Sequence, residues 1–153
     1  MDINSPTPLP TKDYPGTIQH YYKEDGRYYF DTENSRLEVK IVTDQIIRFR
    51  FNSEYFAKDF CYALDLSLRE QKYSDTFKDN ETDYHLSTAC FHILINKTNL
   101  KIRIENLNGE VVCEDENGYH WEPNPGYGGN YIYCSKHITP KECFYGLGDK
   151  PCD

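Results

Sequence analysis

The sequence predicts an all-β fold, an antiparallel β-sandwich, and three observations carry that prediction. Apolar and polar residues alternate at period two in several short segments, turn-forming Gly, Asn and Asp pairs separate them, and no stretch sustains the 3.6-residue period of an amphipathic helix. Fourteen tyrosines and a single methionine tilt the composition the same way, because aromatic side chains suit the pleated surface of a strand.

Along the chain, residues 1–16 hold Pro6, Pro8, Pro10 and Pro15 among polar residues and read as an extended arm with no core of its own. The sandwich is expected over residues 17–143. Tyr21-Tyr22 and Tyr28-Tyr29-Phe30 flank the turn signal Glu24-Asp25-Gly26, which predicts a first hairpin. Leu37, Val39 and Ile41 then alternate with Glu38 and Lys40, and Ile47, Phe49 and Phe51 alternate with Arg48 and Arg50, with Thr43-Asp44 as the turn between. Alternation of this kind buries one face and leaves the arginines on a wet one, the habit of antiparallel rather than parallel sheets.

Residues 52–83 carry weaker signals, from which one strand is expected near 61–68, and a helical stretch at 54–59 would be too short to stand alone. Strands are predicted at Tyr84 to Thr88, at Phe91 to Asn96, and where Leu100, Ile102 and Ile104 alternate with Lys101, Arg103 and Glu105. Asn108-Gly109 suits a type I′ turn into a returning strand Val111 to Cys113. Gly and Pro density from Gly118 to Asn130 predicts an irregular loop, and Tyr131 to Ser135 a further strand. About eight to ten short strands result, as a sandwich requires.

The bulk numbers exclude several functions. At 153 residues there is room for one domain but not for an eight-fold β/α barrel of about 250 residues. A net charge of −8 without any basic run argues against a nucleic-acid or anionic-membrane partner. The opening Met1-Asp2-Ile3-Asn4-Ser5-Pro6 lacks a positive n-region and an apolar stretch, so a cytoplasmic protein with its six cysteines reduced is expected, in which the sequons at Asn80 and Asn96 carry no sugar.

Candidate chemistry is sparse. Tyr119, Trp121, Tyr127, Tyr131 and Tyr133 could offer rings on which a sugar stacks; Trp121, placed in the loop, is the best of them, while Tyr131 and Tyr133 share a strand face that fills a core or sheet surface. Gly146-Leu147-Gly148-Asp149 either brings backbone and a carboxylate to sugar hydroxyls, with Gly148 and Asp149 as contacts, or forms a domain-exit turn. The carboxylates Glu114-Asp115-Glu116, and Asp79 with Glu81 and Asp83, crowd polar turns and read as solvated surface. Cys134 and His137 with Cys143 and Cys152 supply only one close-spaced pair where tetrahedral zinc sites draw on two, and Cys90 with His92 reads as a packed thiol beside a hydrogen-bonded histidine. No phosphate loop or serine elbow occurs, and no metal or cofactor is expected.

Three stretches resemble the N-terminal domain of glycoside hydrolase family 31, the α-glucosidase and α-xylosidase group. They are Leu37 to Phe51, the strand order from Thr82 to Asp115, and Glu142-Cys143-Phe144-Tyr145-Gly146-Leu147-Gly148-Asp149-Lys150-Pro151, the last being similar to the family's signature at the exit of this domain. The resemblance implies a galactose-mutarotase-like sandwich in a parent enzyme that cleaves terminal α-linked glucosyl residues with retention, using two aspartates held on a barrel. Neither aspartate has a position here, so no catalytic residue is expected in this chain, and residues 144–153 are expected to lead into the barrel. The implied partners are an α-linked oligosaccharide and that barrel; without it, the face meant for it would be a sticky apolar patch and a dimer surface. The alternative is a free-standing carbohydrate-binding module built on Trp121 and the loop tyrosines.

Overall fold

The structure is a computed structural model and describes residues 13–53, 56, 74–138, 140 and 142. Ten strands follow one another among them: β1 (Ile18–Glu24), β2 (Arg27–Thr32), β3 (Arg36–Thr43), β4 (Ile46–Asn52), β5 (Thr76–Asp79), β6 (Asp83–Ser87), β7 (Phe91–Asn96), β8 (Ile102–Asn106), β9 (Val111–Pro123) and β10 (Asn130–Lys136). They form two sheets, one ordered β1-β2-β3-β4 and the other β10-β9-β8-β7-β6-β5. Every described pairing is antiparallel, and spatial neighbours are sequence neighbours, as expected where short turns join successive strands. No helix occurs among the described residues, so none is long and apolar enough to cross a membrane. The strand expected near 61–68, the stretch 54–59 except Phe56, and the exit segment 144–153 lie outside the described residues.

Period-two alternation puts the core where the sequence predicts. Tyr28 and Phe30 of β2 and Leu37 and Val39 of β3 form one apolar cluster with Tyr84 and Leu86 of β6, Ile93 and Ile95 of β7 and Ile102 of β8. The antiparallel sandwich is therefore the observed architecture. Phe30 has 0% of its surface exposed, and its ring centroid lies 5.3 Å from that of Tyr84 on the opposite sheet. Phe77 of β5 stacks on Tyr28 at 5.2 Å and extends the aromatic layer to the edge of the sandwich.

One hairpin turn is as expected and one differs in kind. Asp25 and Gly26 both take positive φ, 49° and 72°, so the type I′ turn joins β1 to β2. At the β8–β9 connection only Gly109 is left-handed, with φ 80°. There the Asn106 side-chain oxygen accepts the N–H groups of Asn108 (2.9 Å) and Glu110 (3.0 Å), which opens a three-residue loop and shifts the register between Ile104 and Glu105. Leu100 was expected to start a strand, yet it sits in the preceding turn at φ 59° and β8 begins at Ile102. Its apparent alternation with Ile102 arises because the turn tucks its side chain into the core, where it is 1% exposed.

The outer face of the first sheet also departs from expectation. Alternation assigns Glu38 to a wet face, but Glu38 is 2% exposed. Arg27 of β2 and Arg50 of β4 flank it and donate to Oε2 at 3.4 and 3.2 Å, while Oε1 has no hydrogen-bond partner. The Arg50 guanidinium in turn lies 4.9 Å from the Phe56 ring centroid. Two long arginine stems thus bury a carboxylate that period-two patterning alone would leave in water.

The prolines of the arm up to Pro10 lie outside the described residues, but the end of the arm is docked. Asp13 and Trp121 exchange backbone hydrogen bonds of 2.8 and 3.0 Å, and Pro15 is fully buried.

Candidate functional site

The ribbon of β9 and β10 carries every loop or strand aromatic weighed as a sugar contact. Its strands pair from Asn130 opposite Pro123 to Ser135 opposite Gly118, and a bulge then brings Lys136 opposite Asp115. Gly118 holds the bulge because its φ of 66° is left-handed. Asp115 is buried rather than solvated as expected: it accepts the Ile102 N–H at 2.8 Å and pairs with Lys136. A carboxylate at a β-bulge meets the backbone N–H that the interrupted ladder leaves over.

Trp121 is corrected in place and exposure. It lies on β9, not in a loop, and is 5% exposed, with its ring 5.7 Å from Phe51 of β4 and its backbone covered by Asp13. The irregular segment is confined to Asn124 through Gly129, since Gly128 and Gly129 alone in it are left-handed and Asn124 Oδ1 ties down the N–H groups of Gly126 and Tyr127. Glycine density therefore marks the tip, while Tyr119 to Pro123 continue a strand.

Rings are exposed elsewhere on the ribbon. Tyr127 projects from the tip with 93% of its surface in solvent, and Tyr131 and Tyr133 share one face of β10 at 48% and 39%. Tyr133 donates to Glu122 Oε1 at 2.5 Å and stacks on His120 at 5.1 Å, which in turn stacks on Tyr14 at 5.7 Å. Tyr131 and Tyr133 thus occupy the sheet surface, one of the two places expected for them, and form with Glu122 a ring-and-carboxylate patch of the kind that packs against sugar C–H faces and hydroxyls. Gly148 and Asp149 lie outside the described residues.

Beneath this patch Tyr119 faces inward, its ring stacked on Phe51 at 4.4 Å. Burial, then the neighbouring Cys134 and Asp115, push its phenol far above the ordinary value. The unfolded chain releases a tyrosine proton from about pH 10 while the folded chain keeps it, so the stability held below that pH is lost as pH rises. Urea midpoints are expected to fall between pH 8 and pH 10.5, and Tyr119→Phe is expected to flatten that fall; an equal slope in both proteins would show that Tyr119 titrates freely.

Several of the remaining sequence candidates have structural partners. Glu114 pairs with Arg103 at 3.0 Å, Asp79 pairs with Lys97, and Asp83 accepts from Asn80 and Thr82 in the β5–β6 turn. Cys90, Cys113 and Cys134 are free thiols, and Cys61, Cys143 and Cys152 lie outside the described residues. Among the described residues no three His, Cys, Asp or Glu side chains group as metal ligands.

One cluster was missed. On the outer face of the second sheet His85 and Ser87 of β6 meet His92 of β7, with contacts of 3.0 to 3.2 Å. The signal was present: the short Thr88 to Cys90 turn sets Ser87 opposite His92, and period two then brings His85 to the same face. Sequence reasoning singles out His92 alone and sets it beside Cys90, which lies in the turn before β7, rather than beside the facing strand.

The glycosyl hydrolase 31 N-terminal galactose mutarotase-like domain matches residues 36–153. A Flavobacterium johnsoniae GH31 dextranase complexed with isomaltotriose is similar in structure, with TM-score 0.61 and 16% identity over 72% of this chain and 15% of that one. The Listeria monocytogenes cycloalternan-forming enzyme in complex with a pentasaccharide substrate is similar with TM-score 0.56 and 12% identity, over 74% of this chain and 11% of that one. At such identities the likeness establishes the fold alone. No curated protein matches the chain. Two antiparallel sheets around one core and a match over most of the length agree, and the chain belongs to the N-terminal galactose mutarotase-like domain family of glycosyl hydrolase 31.

Proposed function

We propose that this chain is the non-catalytic N-terminal β-sandwich of a retaining α-glucosidase-like hydrolase, supporting the catalytic barrel and framing its sugar site. The match of residues 36–153 to this domain carries the proposal. The small share of each structural neighbour that the chain covers, 15% and 11%, supports a supporting part within a larger enzyme. Retaining hydrolysis needs two carboxyl groups about 5 to 5.5 Å apart on a rigid frame, one as nucleophile and one as acid then base. Here Asp115 and Glu114 are engaged by Lys136 and Arg103 instead, which favours a scaffold role for them. The α-linked oligosaccharide is then the substrate of the whole enzyme, met by this domain at its rim.

The purified 153-residue chain is expected to show no turnover of aryl α-glucosides, whereas a longer protein that contains it with a barrel is expected to hydrolyse them. Turnover by the chain alone would overturn the non-catalytic reading. The carbohydrate-binding module loses its main support because Trp121 is buried. Titration with maltose and isomaltose, followed by Tyr and Trp fluorescence, is expected to stay flat; saturable binding at micromolar sugar would reinstate the module.

A further inference from the structure

We propose that His85, His92 and Ser87 form a surface site for an imidazole-preferring divalent transition-metal ion, of the Zn2+, Ni2+ or Cu2+ class, on the outer face of the six-stranded sheet. The register places them: β6 and β7 pair with Ser87 opposite His92 and His85 opposite Leu94, so His85 and His92 are diagonal neighbours on one face. The three polar atoms make a nearly equilateral triangle, with His85 Nε2 to His92 Nδ1 3.2 Å, Ser87 Oγ to His85 Nε2 3.2 Å and Ser87 Oγ to His92 Nδ1 3.0 Å. Bonds of about 2.1 Å set adjacent donor atoms about 3.0 Å apart at octahedral angles and about 3.4 Å apart at tetrahedral ones, so the triangle has the dimensions of one face of a coordination shell.

Protons satisfy this triangle incompletely. The serine hydroxyl brings one hydrogen and a neutral imidazole pair sharing a hydrogen bond brings one more, so two hydrogens serve three contacts and one edge stays without a bond. A cation at the triangle draws a lone pair from each of the three atoms once the shared ring proton moves to the other nitrogen of the same imidazole, His85 Nδ1 or His92 Nε2. The imidazole rings already meet edge to face, with centroids 5.1 Å apart and planes at 69°, so little side-chain freedom remains to be lost on binding. All three residues are half-buried, which leaves the outward positions of the ion to water. Imidazole donors select Zn2+, Ni2+ and Cu2+ over Mg2+ and Ca2+, which prefer oxygen shells. Charges of both signs border the site: Lys78 lies opposite His85 and opposes a cation, while Asp83, two residues before His85 on β6, and Glu105, opposite His92 and held by Arg103 at 2.7 Å, favour one.

The test is titration of the chain with NiCl2 and ZnCl2 by calorimetry, paired with NMR of the histidine ring nitrogens. One saturable event that broadens or shifts His85 and His92 is expected. His85→Gln and His92→Gln are each expected to weaken it by at least about tenfold, and Ser87→Ala by less. His20→Gln and His137→Gln, at exposed histidines on β1 and just past β10, are expected to leave it unchanged. Thermal melts supply a second readout: metal is expected to raise the midpoint of the wild type but not of the His85→Gln/His92→Gln double variant, whose metal-free midpoint reports whether it folds. Equal affinity in wild type and the double variant, or no saturable binding up to about 1 mM metal, would overturn the proposal and leave a hydrogen-bonded histidine pair.

Discussion

Phe30→Ala is expected to cost about 3–5 kcal/mol of folding stability, the range for removing a large buried aromatic side chain and leaving a cavity. Phe30 has 0% exposure and meets Tyr84 of the opposite sheet at 5.3 Å, so its ring fills the space between the two layers and neither sheet can collapse into the void without moving its strands. In a domain of this size the melting midpoint should fall by roughly 10 °C. Urea denaturation should show a lower midpoint with an unchanged slope. Leu107→Ala, at a turn residue 57% exposed, should shift stability by no more than about 0.5 kcal/mol. A Phe30→Ala loss below about 1 kcal/mol would contradict its central place in the sandwich.

The second large effect concerns Glu38. Its carboxylate is 2% exposed and is neutralised by Arg27 and Arg50, whose side chains are 24% and 17% exposed. Arg27→Met with Arg50→Met strands that charge, and breaking a buried pair from one side costs about 3–5 kcal/mol because the remaining ion is neither solvated nor paired. Adding Glu38→Met to the double variant should recover most of the loss, since a buried ion cluster replaced wholly by apolar residues is often neutral. Comparing the double with the triple variant isolates the carboxylate, because whatever else the arginines contact is lost in both. Denaturant midpoints at neutral pH make the comparison; a triple variant no more stable than the double would show that the arginines act through those other contacts.

Much of the fold was legible because strand pairing in a meander is local. Leu37 to Phe51 declares its two strands and its buried face by alternation alone, and the observed register, Val39 opposite Phe49, follows from the short turn between them. Local hydrogen bonds already misled at the next level: Asn108-Gly109 has the composition of a type I′ turn, yet the Asn106 side chain captures two N–H groups and changes the turn. Leu100 looked like a strand residue because burial, which it has, and strand conformation, which it lacks, leave the same mark in an alternating pattern.

The candidate site was less legible. Gly and Pro crowding predicts a loop around Trp121, but exposure depends on what covers a residue, and Asp13 and Phe51 lie about 108 and 70 residues away in sequence. The His85, Ser87 and His92 triangle shows the same limit across a shorter distance, since the residues that make it lie on two strands and only their pairing brings the ring nitrogens together.

By itself, then, the sequence determined the all-β class, most strands of the two sheets and the apolar faces that make the core, because a period of two and a turn residue act within a few positions; β5 among the charges of Thr76–Asp79 and the run of β9 past Cys113 to Pro123 appear only in the structure. Tertiary structure decided which polar groups are buried and which rings are exposed. Glu38 and Asp115 leave water only when arginine, lysine and backbone partners from neighbouring strands replace it, and Trp121 is hidden only when the arm and β4 close over it. Burial is a property of the assembled layers, and no single strand carries it.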